Sequence, residues 1–89
     1  MTVTIDCSEI RENADLHRIF SSQLHLPGFY GKNLDALYDC LTSLSQKTTL
    51  NLLHTQSLID NLGPYGRAAI SAIAHAEREN PARLTVNMK

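Results

Sequence analysis

Apolar residues recur along this chain with two periods, and the switches between them mark out its elements. Val3, Ile5 and Cys7 alternate with Thr2, Thr4 and Asp6, which predicts a strand over residues 2–7 with one buried face. Asn13 offers a helix cap, and Leu16, Ile19, Phe20 and Leu24 then recur at helical spacing through Gln23, with Asp15, Arg18 and Ser22 on the outer face. Pro27, Gly28 and Gly31 break the pattern and make residues 26–32 a loop, in which Phe29 and Tyr30 have no periodic core to join. Asn33 caps a second helix whose apolar stripe is Leu34, Leu37, Leu41 and Leu44. After the polar stretch 45–47, residues 48–54 read as a strand buried on both sides at Leu52 and Leu53. Thr55 caps a short third helix through Leu62. Gly63 stops it, and Pro64 opens a fourth carrying Ala69, Ile70, Ile73, Ala74 and Ala76, which ends at Asn80 and Pro81. A last strand over 83–88 alternates Leu84, Val86 and Met88.

The resulting order is βααβααβ. Consecutive strands joined through helices must be parallel, and right-handed crossovers onto one face give spatial order 1-2-3. The expected architecture is a two-layer α/β fold, a three-stranded parallel sheet with four helices, forming a single domain over residues 1–89.

The second helix carries the chemistry. Asp35 and Asp39 lie one turn apart on the face opposite the leucines, and Tyr38 and Thr42 complete that face. Like charges at this spacing repel by a few tenths of a kcal/mol, so the face suits a positively charged partner. A net charge of −1, with 8 basic residues that form no run, argues against nucleic-acid binding. Neither a signal-peptide pattern nor a run of about 20 apolar residues occurs, so the expectation is a cytoplasmic protein that does not engage a membrane. Cys7 and Cys40 lack disulfide-framework or zinc spacing and read as small, reduced, buried apolar residues. His17, His25, His54 and His75 fall in four separate segments and read as surface or capping histidines, with no metal site implied. Paired carboxylates serve acid–base catalysis or metal binding in other settings. Here no further ligands converge, no nucleophile elbow surrounds Ser21, Ser22 or Ser43, and no phosphate loop is present, so neither catalysis nor a cofactor is expected.

The run LPGFYGKNLDALYDCLT, from Leu26 to Thr42, resembles the signature region of the barstar family, intracellular inhibitors of barnase-type ribonucleases. DLHRIF at 15–20 and RLTV at 83–86 extend the resemblance over nearly the whole chain. It implies a barstar-like fold in which the second helix and its preceding loop plug a ribonuclease active site. That site is built to hold RNA phosphates with cations, so the two aspartates stand in for the substrate. By the same resemblance Asp39 sits deepest among the catalytic cations and Asp35 meets the neighbouring base-binding region. Phe29, Tyr30, Gly31 and Asn33 cover the mouth of the cleft, and Ala36, Tyr38 and Thr42 fall within the contact face. The implied partner is a barnase-like ribonuclease or ribonuclease toxin, met by an inhibitor or immunity protein that is a monomer when free.

Several positions depart from the family pattern. Ala76 stands where the family has a partner-contacting glutamate, Asn80 replaces another acid, and Tyr38 and Leu44 replace tryptophans, while Phe29 lacks the usual hydroxyl. Glu77 is one residue along and rotated about 100° from Ala76. These differences imply a divergent ribonuclease and weak inhibition of barnase itself. For Tyr30 two roles stand open, a partner contact or a cover over the core edge, whereas Tyr38 is expected to be exposed. A homo-oligomer using this face fits poorly, since aspartates would meet aspartates across a two-fold axis. The runner-up function is a binding module of the same fold with a non-nuclease partner.

Overall fold

The computed structural model describes residues 1–89 and gives strand β1 (Thr2–Asp6), helices α1 (Asn13–Gln23) and α2 (Leu34–Thr42), and strand β2 (Thr48–Leu53). Helices α3 (Gln56–Leu62) and α4 (Pro64–Glu79) and strand β3 (Leu84–Met88) follow. The strands pair in the order β1-β2-β3, all parallel, as the connection rules require. Val3 lies opposite Leu50 and Leu50 opposite Val86, while Ile5 lies opposite Leu52, so one face of the sheet is a continuous apolar surface.

The core fills the space between that face and the helices. Val3, Ile5, Leu50, Leu52 and Leu84 meet Leu16, Phe20, Leu37, Leu41, Leu58, Ala69 and Ile73, all nearly or wholly inaccessible. Truncating one of these leucines to alanine costs about 2–5 kcal/mol, most of what a small domain has. The other face carries Thr2, Thr4, Thr85 and Asn87, all exposed. Because no helix covers it, Leu53 is only half-buried, which corrects the expectation of a second strand buried on both sides.

Local chemistry moves several boundaries. Cys7 leaves the strand for a 3₁₀ turn over Cys7–Glu9, held by the Asp6 carboxylate, which accepts from Ser8 N at 3.0 Å and Ser8 Oγ at 2.7 Å. Those bonds hold the Asp6 carboxyl below its ordinary range. Helix α1 is capped by Glu12, not Asn13: the Asp15 carboxylate reaches back to the amides of Arg11 and Glu12, at 3.1 Å each. Thr55 precedes α3 without capping it, and its hydroxyl donates to the Leu52 carbonyl at 3.3 Å. Strand β3 starts one residue late, and the Arg83 guanidinium donates to the Ser45 carbonyl.

One close approach fixes how α3 meets α4. A Cβ placed on Gly66 would sit 1.9 Å from the Leu58 carbonyl oxygen, so only glycine lets the first turns of α4 lie against α3. The turn between them uses Gly63 at φ +59° and Pro64 at the first helical position. α4 in turn lies against α2 and braces it from the side.

Candidate protein-binding face

Helix α2 is cut from the sequence with two incompatible faces. Leu37 and Leu41 are fully buried, while Asp35 and Asp39 are exposed. Asn33 starts the helix as expected: its Oδ1 accepts from Ala36 N at 2.8 Å, and its Nδ2 donates to the Gly31 carbonyl at 3.3 Å, which ties the loop to the helix. At the other end the Thr42 hydroxyl donates to the carbonyls of Tyr38 and Asp39, at 2.9 and 3.1 Å. The ion pairs within the chain are Arg18–Asp15 at 3.1 Å and His75–Glu79 at 3.4 Å, so neither α2 carboxylate is matched by a base. Asp35 lies in the first turn, where the helix dipole favours a negative charge. Asp39 lies near the C-terminal end, where the dipole opposes it and no basic residue compensates.

The loop before α2 is divided. Phe29 is 89% exposed and Gly31 is exposed, whereas Tyr30 is buried, only 7% exposed. The Tyr30 hydroxyl lies 2.6 Å from His17 Nδ1, and His17 Nε2 lies 2.5 Å from the Tyr65 hydroxyl. Of the two roles open for Tyr30, the side chain therefore fills the core role in the free protein. His17 is a buried bridge between α1, the loop and α4, contrary to its reading as a surface or capping residue. Burial pushes its pKa down and those of Tyr30 and Tyr65 up, because each charged form would lose hydration. The loop is thus pinned from behind while Phe29 faces out.

Tyr38 is half-buried rather than exposed. Its ring packs on His75 of α4, centroids 5.4 Å apart and tilted by 48°. Leu34, Asp35 and Tyr38 face Ala68, Ser71, Ala72 and His75 across a shallow groove that continues the acidic face onto α4. Ala76, by contrast, is fully buried, so it cannot be the α4 residue that faces a partner here. The residue beside Tyr38 is His75, which the residue reading missed. The stripe Ala69, Ile73, Ala76 signals it, since a residue in that stripe points into the core and its predecessor is turned about 100° away. Glu77 is no substitute either, because its Oε2 accepts from Val86 N at 2.6 Å. Asn80 closes α4 and donates to the Leu41 carbonyl at 3.0 Å, a bond a carboxylate could not make.

Cys7 is fully buried, with its thiol pushed up to about 11 by desolvation and then by the Asp6 charge. Cys40, expected to be buried, is only half so, and burial raises its thiol as well. No group of three or more metal-ligating side chains is assembled, and no helix is long and apolar enough to cross a membrane.

With the geometry in hand, comparison with known proteins is specific. A Bacillus subtilis (strain 168) protein named "Putative ribonuclease inhibitor YrdF" is 33% identical over 78 residues, covering 86% of each chain. The family model described as Barstar (barnase inhibitor) matches residues 1–89. That match spans the parallel βααβααβ fold, the loop before α2, the Asn33 cap and the acidic outer face of α2, and the chain belongs to the barstar family.

Proposed function

We propose that this protein inhibits a barnase-like ribonuclease or ribonuclease toxin, or gives its own cell immunity to one, by plugging the enzyme's active site one-to-one from within the cytoplasm. The helix α2 and the loop before it form the plug, and no cofactor or chemistry of the inhibitor's own is involved. The observation that carries this reading is the pair of exposed carboxylates at Asp35 and Asp39, which have no base to pair with in the chain. Four residues of helix separate them by about 6 Å along the axis, so they can engage neighbouring cations of a site built for successive phosphates. Asp39 gains most from such an encounter, since bound cations relieve both its repulsion from Asp35 and its opposition to the helix dipole. Phe29, Gly31, Asn33, Ala36, Tyr38 and Thr42 frame the two acids, and His75 extends the contact across the groove. Tyr30 contributes by holding the loop in shape.

The test begins with the immobilised protein and lysate from its source cell, with the Asp35→Asn/Asp39→Asn double variant as the control. Any ribonuclease retained by the wild type alone is then purified and titrated with inhibitor in an RNA-cleavage assay. Activity should fall linearly to zero at one equivalent. Retention of a non-nuclease by the acidic face, or a captured ribonuclease that keeps full activity when saturated, would overturn the proposal.

A further inference from the structure

On the side of α1, beside the loop that precedes α2, lies an open pocket of about 490 Å³ lined by Ala14, His17, Arg18, Ser21, Ser22 and Lys32. Arg18 lies one turn after Ala14 and one turn before Ser21 and Ser22, so α1 sets all four on one face, and Lys32 joins them from the loop. We propose that this pocket is a binding site for a phosphate group, free or carried by a small ester such as a nucleoside monophosphate. The site goes beyond the inhibitor reading, since it needs neither the α2 carboxylates nor a ribonuclease.

Two cations and two hydroxyls line the pocket, and no carboxylate does. Lys32 has no ion-pair partner in the chain, and its backbone is left-handed at φ +56°, a conformation that glycine or asparagine fills with less strain, so the fold alone gives no reason for a lysine there. Arg18 donates through Nη2 to the Asp15 carboxylate at 3.1 Å, which leaves the rest of its donor fork free. Asp15 itself is committed to the helix cap, its other oxygen accepting from the amides of Arg11 and Glu12. The negative pole of α1 is blunted as well, because the Phe20 and Ser21 carbonyls already accept from the amides of Leu24 and Leu26, at 2.9 and 3.0 Å. A tetrahedral dianion can offer a separate oxygen to each cation and to the hydroxyls, whereas a carboxylate has only two to share. Size favours an ester. The pocket has room for about sixteen waters at about 30 Å³ each, far more than the five heavy atoms of inorganic phosphate fill. Both ring nitrogens of His17 are already bonded to tyrosine hydroxyls, so its ring serves with the Ala14 methyl as a wall for the organic part.

The experiment uses the full-length ¹⁵N-labelled protein, titrated at constant ionic strength with sodium phosphate, adenosine 5′-monophosphate, adenosine and sodium acetate in turn. Phosphate and the nucleotide should give saturable shifts at the backbone amides of Ser21, Ser22 and Lys32, leave those of Asp39 and Asn87 unmoved, and raise the melting temperature in step with occupancy. Tighter binding of the nucleotide than of phosphate would assign an ester as the occupant, and equal binding would assign free phosphate; either upholds the site. Lys32→Gln and Arg18→Gln should each weaken phosphate binding about tenfold, the loss expected for a charge-assisted bond. Lys32→Gln breaks no ion pair, so it keeps the test decisive if losing the Asp15 contact disturbs α1 in the other variant. Acetate binding as well as phosphate, adenosine binding as well as its monophosphate, shifts that never saturate, or undiminished binding by Lys32→Gln would overturn the assignment, whatever becomes of ribonuclease inhibition.

Discussion

Replacing Asp39 by asparagine should make the free protein more stable and a poorer inhibitor. The substitution keeps shape and helix propensity nearly constant, so it isolates the charge. Two terms favour the change in the free state. Relief of the repulsion from Asp35 one turn earlier contributes about 0.2–0.5 kcal/mol, and removal of a negative charge near the C-terminal end of α2 contributes about 0.3–1 kcal/mol at low salt. Asp39 is exposed and its side chain makes no hydrogen bond or ion pair within the chain, so nothing structural is lost in return. The same exposure lets salt screen both terms, and a realistic net gain is about 0.5 kcal/mol. For a chain of 89 residues that corresponds to a rise in melting temperature of roughly 2–4 °C.

Binding should move the other way and by more. A carboxylate surrounded by cations in a water-excluded site is the kind of residue whose removal costs 2 kcal/mol or more, about a thirtyfold loss, chiefly in the dissociation rate. Differential scanning calorimetry at 10 and 300 mM salt would read the first effect, and inhibition kinetics the second. The stability gain should shrink at the higher salt. Asp60→Asn on α3 is a better control than a change at Asp15, because Asp15 caps α1 and pairs with Arg18. A fall in melting temperature would mean that Asp39 supports the fold. Inhibition equal to that of Asp60→Asn would remove α2 from the interface.

Three further outcomes follow from the packing. Gly66→Ala should destabilise strongly despite the gain of about 1 kcal/mol in helix propensity, because a Cβ 1.9 Å from the Leu58 carbonyl forces α3 and α4 apart; a melting temperature at or above wild type would refute the close approach. His17→Phe should cost about 1–3 kcal/mol by stranding the buried Tyr30 hydroxyl, read by urea unfolding. Burial holds the His17 pKa below its unfolded value near 6.5, so the unfolded chain binds the extra proton first. The His17 contribution is then complete above about pH 6.5 and lost as pH falls below it, and His17→Phe should flatten stability between pH 7 and 5. His75→Glu should tighten binding to barnase, by roughly 1.5 kcal/mol or more if it meets a cation, whereas Ala76→Glu should instead lower the melting temperature by burying a carboxylate. Equal thermal stability of these two variants would contradict the α4 orientation.

The parts of this molecule that sequence makes legible are those where one short segment states its own environment. The strand alternation around Val3 and Ile5 and the leucine stripe of α2 each fix a buried face within a few residues, and parallel order β1-β2-β3 follows from connectivity alone. Asp35 and Asp39 were legible for the same reason, since the stripe that buries Leu37 and Leu41 turns the acids outward. The support behind the site was not. His17 meets Tyr30 across 13 residues and Tyr65 across 48, and no local period links residues that the fold alone brings together. Tyr38 was misjudged because its cover comes from α4. Ala76 is the instructive case, because two kinds of reading disagreed on it. Its place in the stripe of Ala69 and Ile73 put it in the core, and resemblance put it on the contact face. The stripe was right, because periodicity reports the burial of this chain's own residues, whereas resemblance carries over a position from helices whose register need not be the same. A single residue of difference turns the side chain by about 100°. The α4 side chain that lies beside the Tyr38 ring is that of His75, an imidazole one residue before the position where the resemblance implies a missing acid.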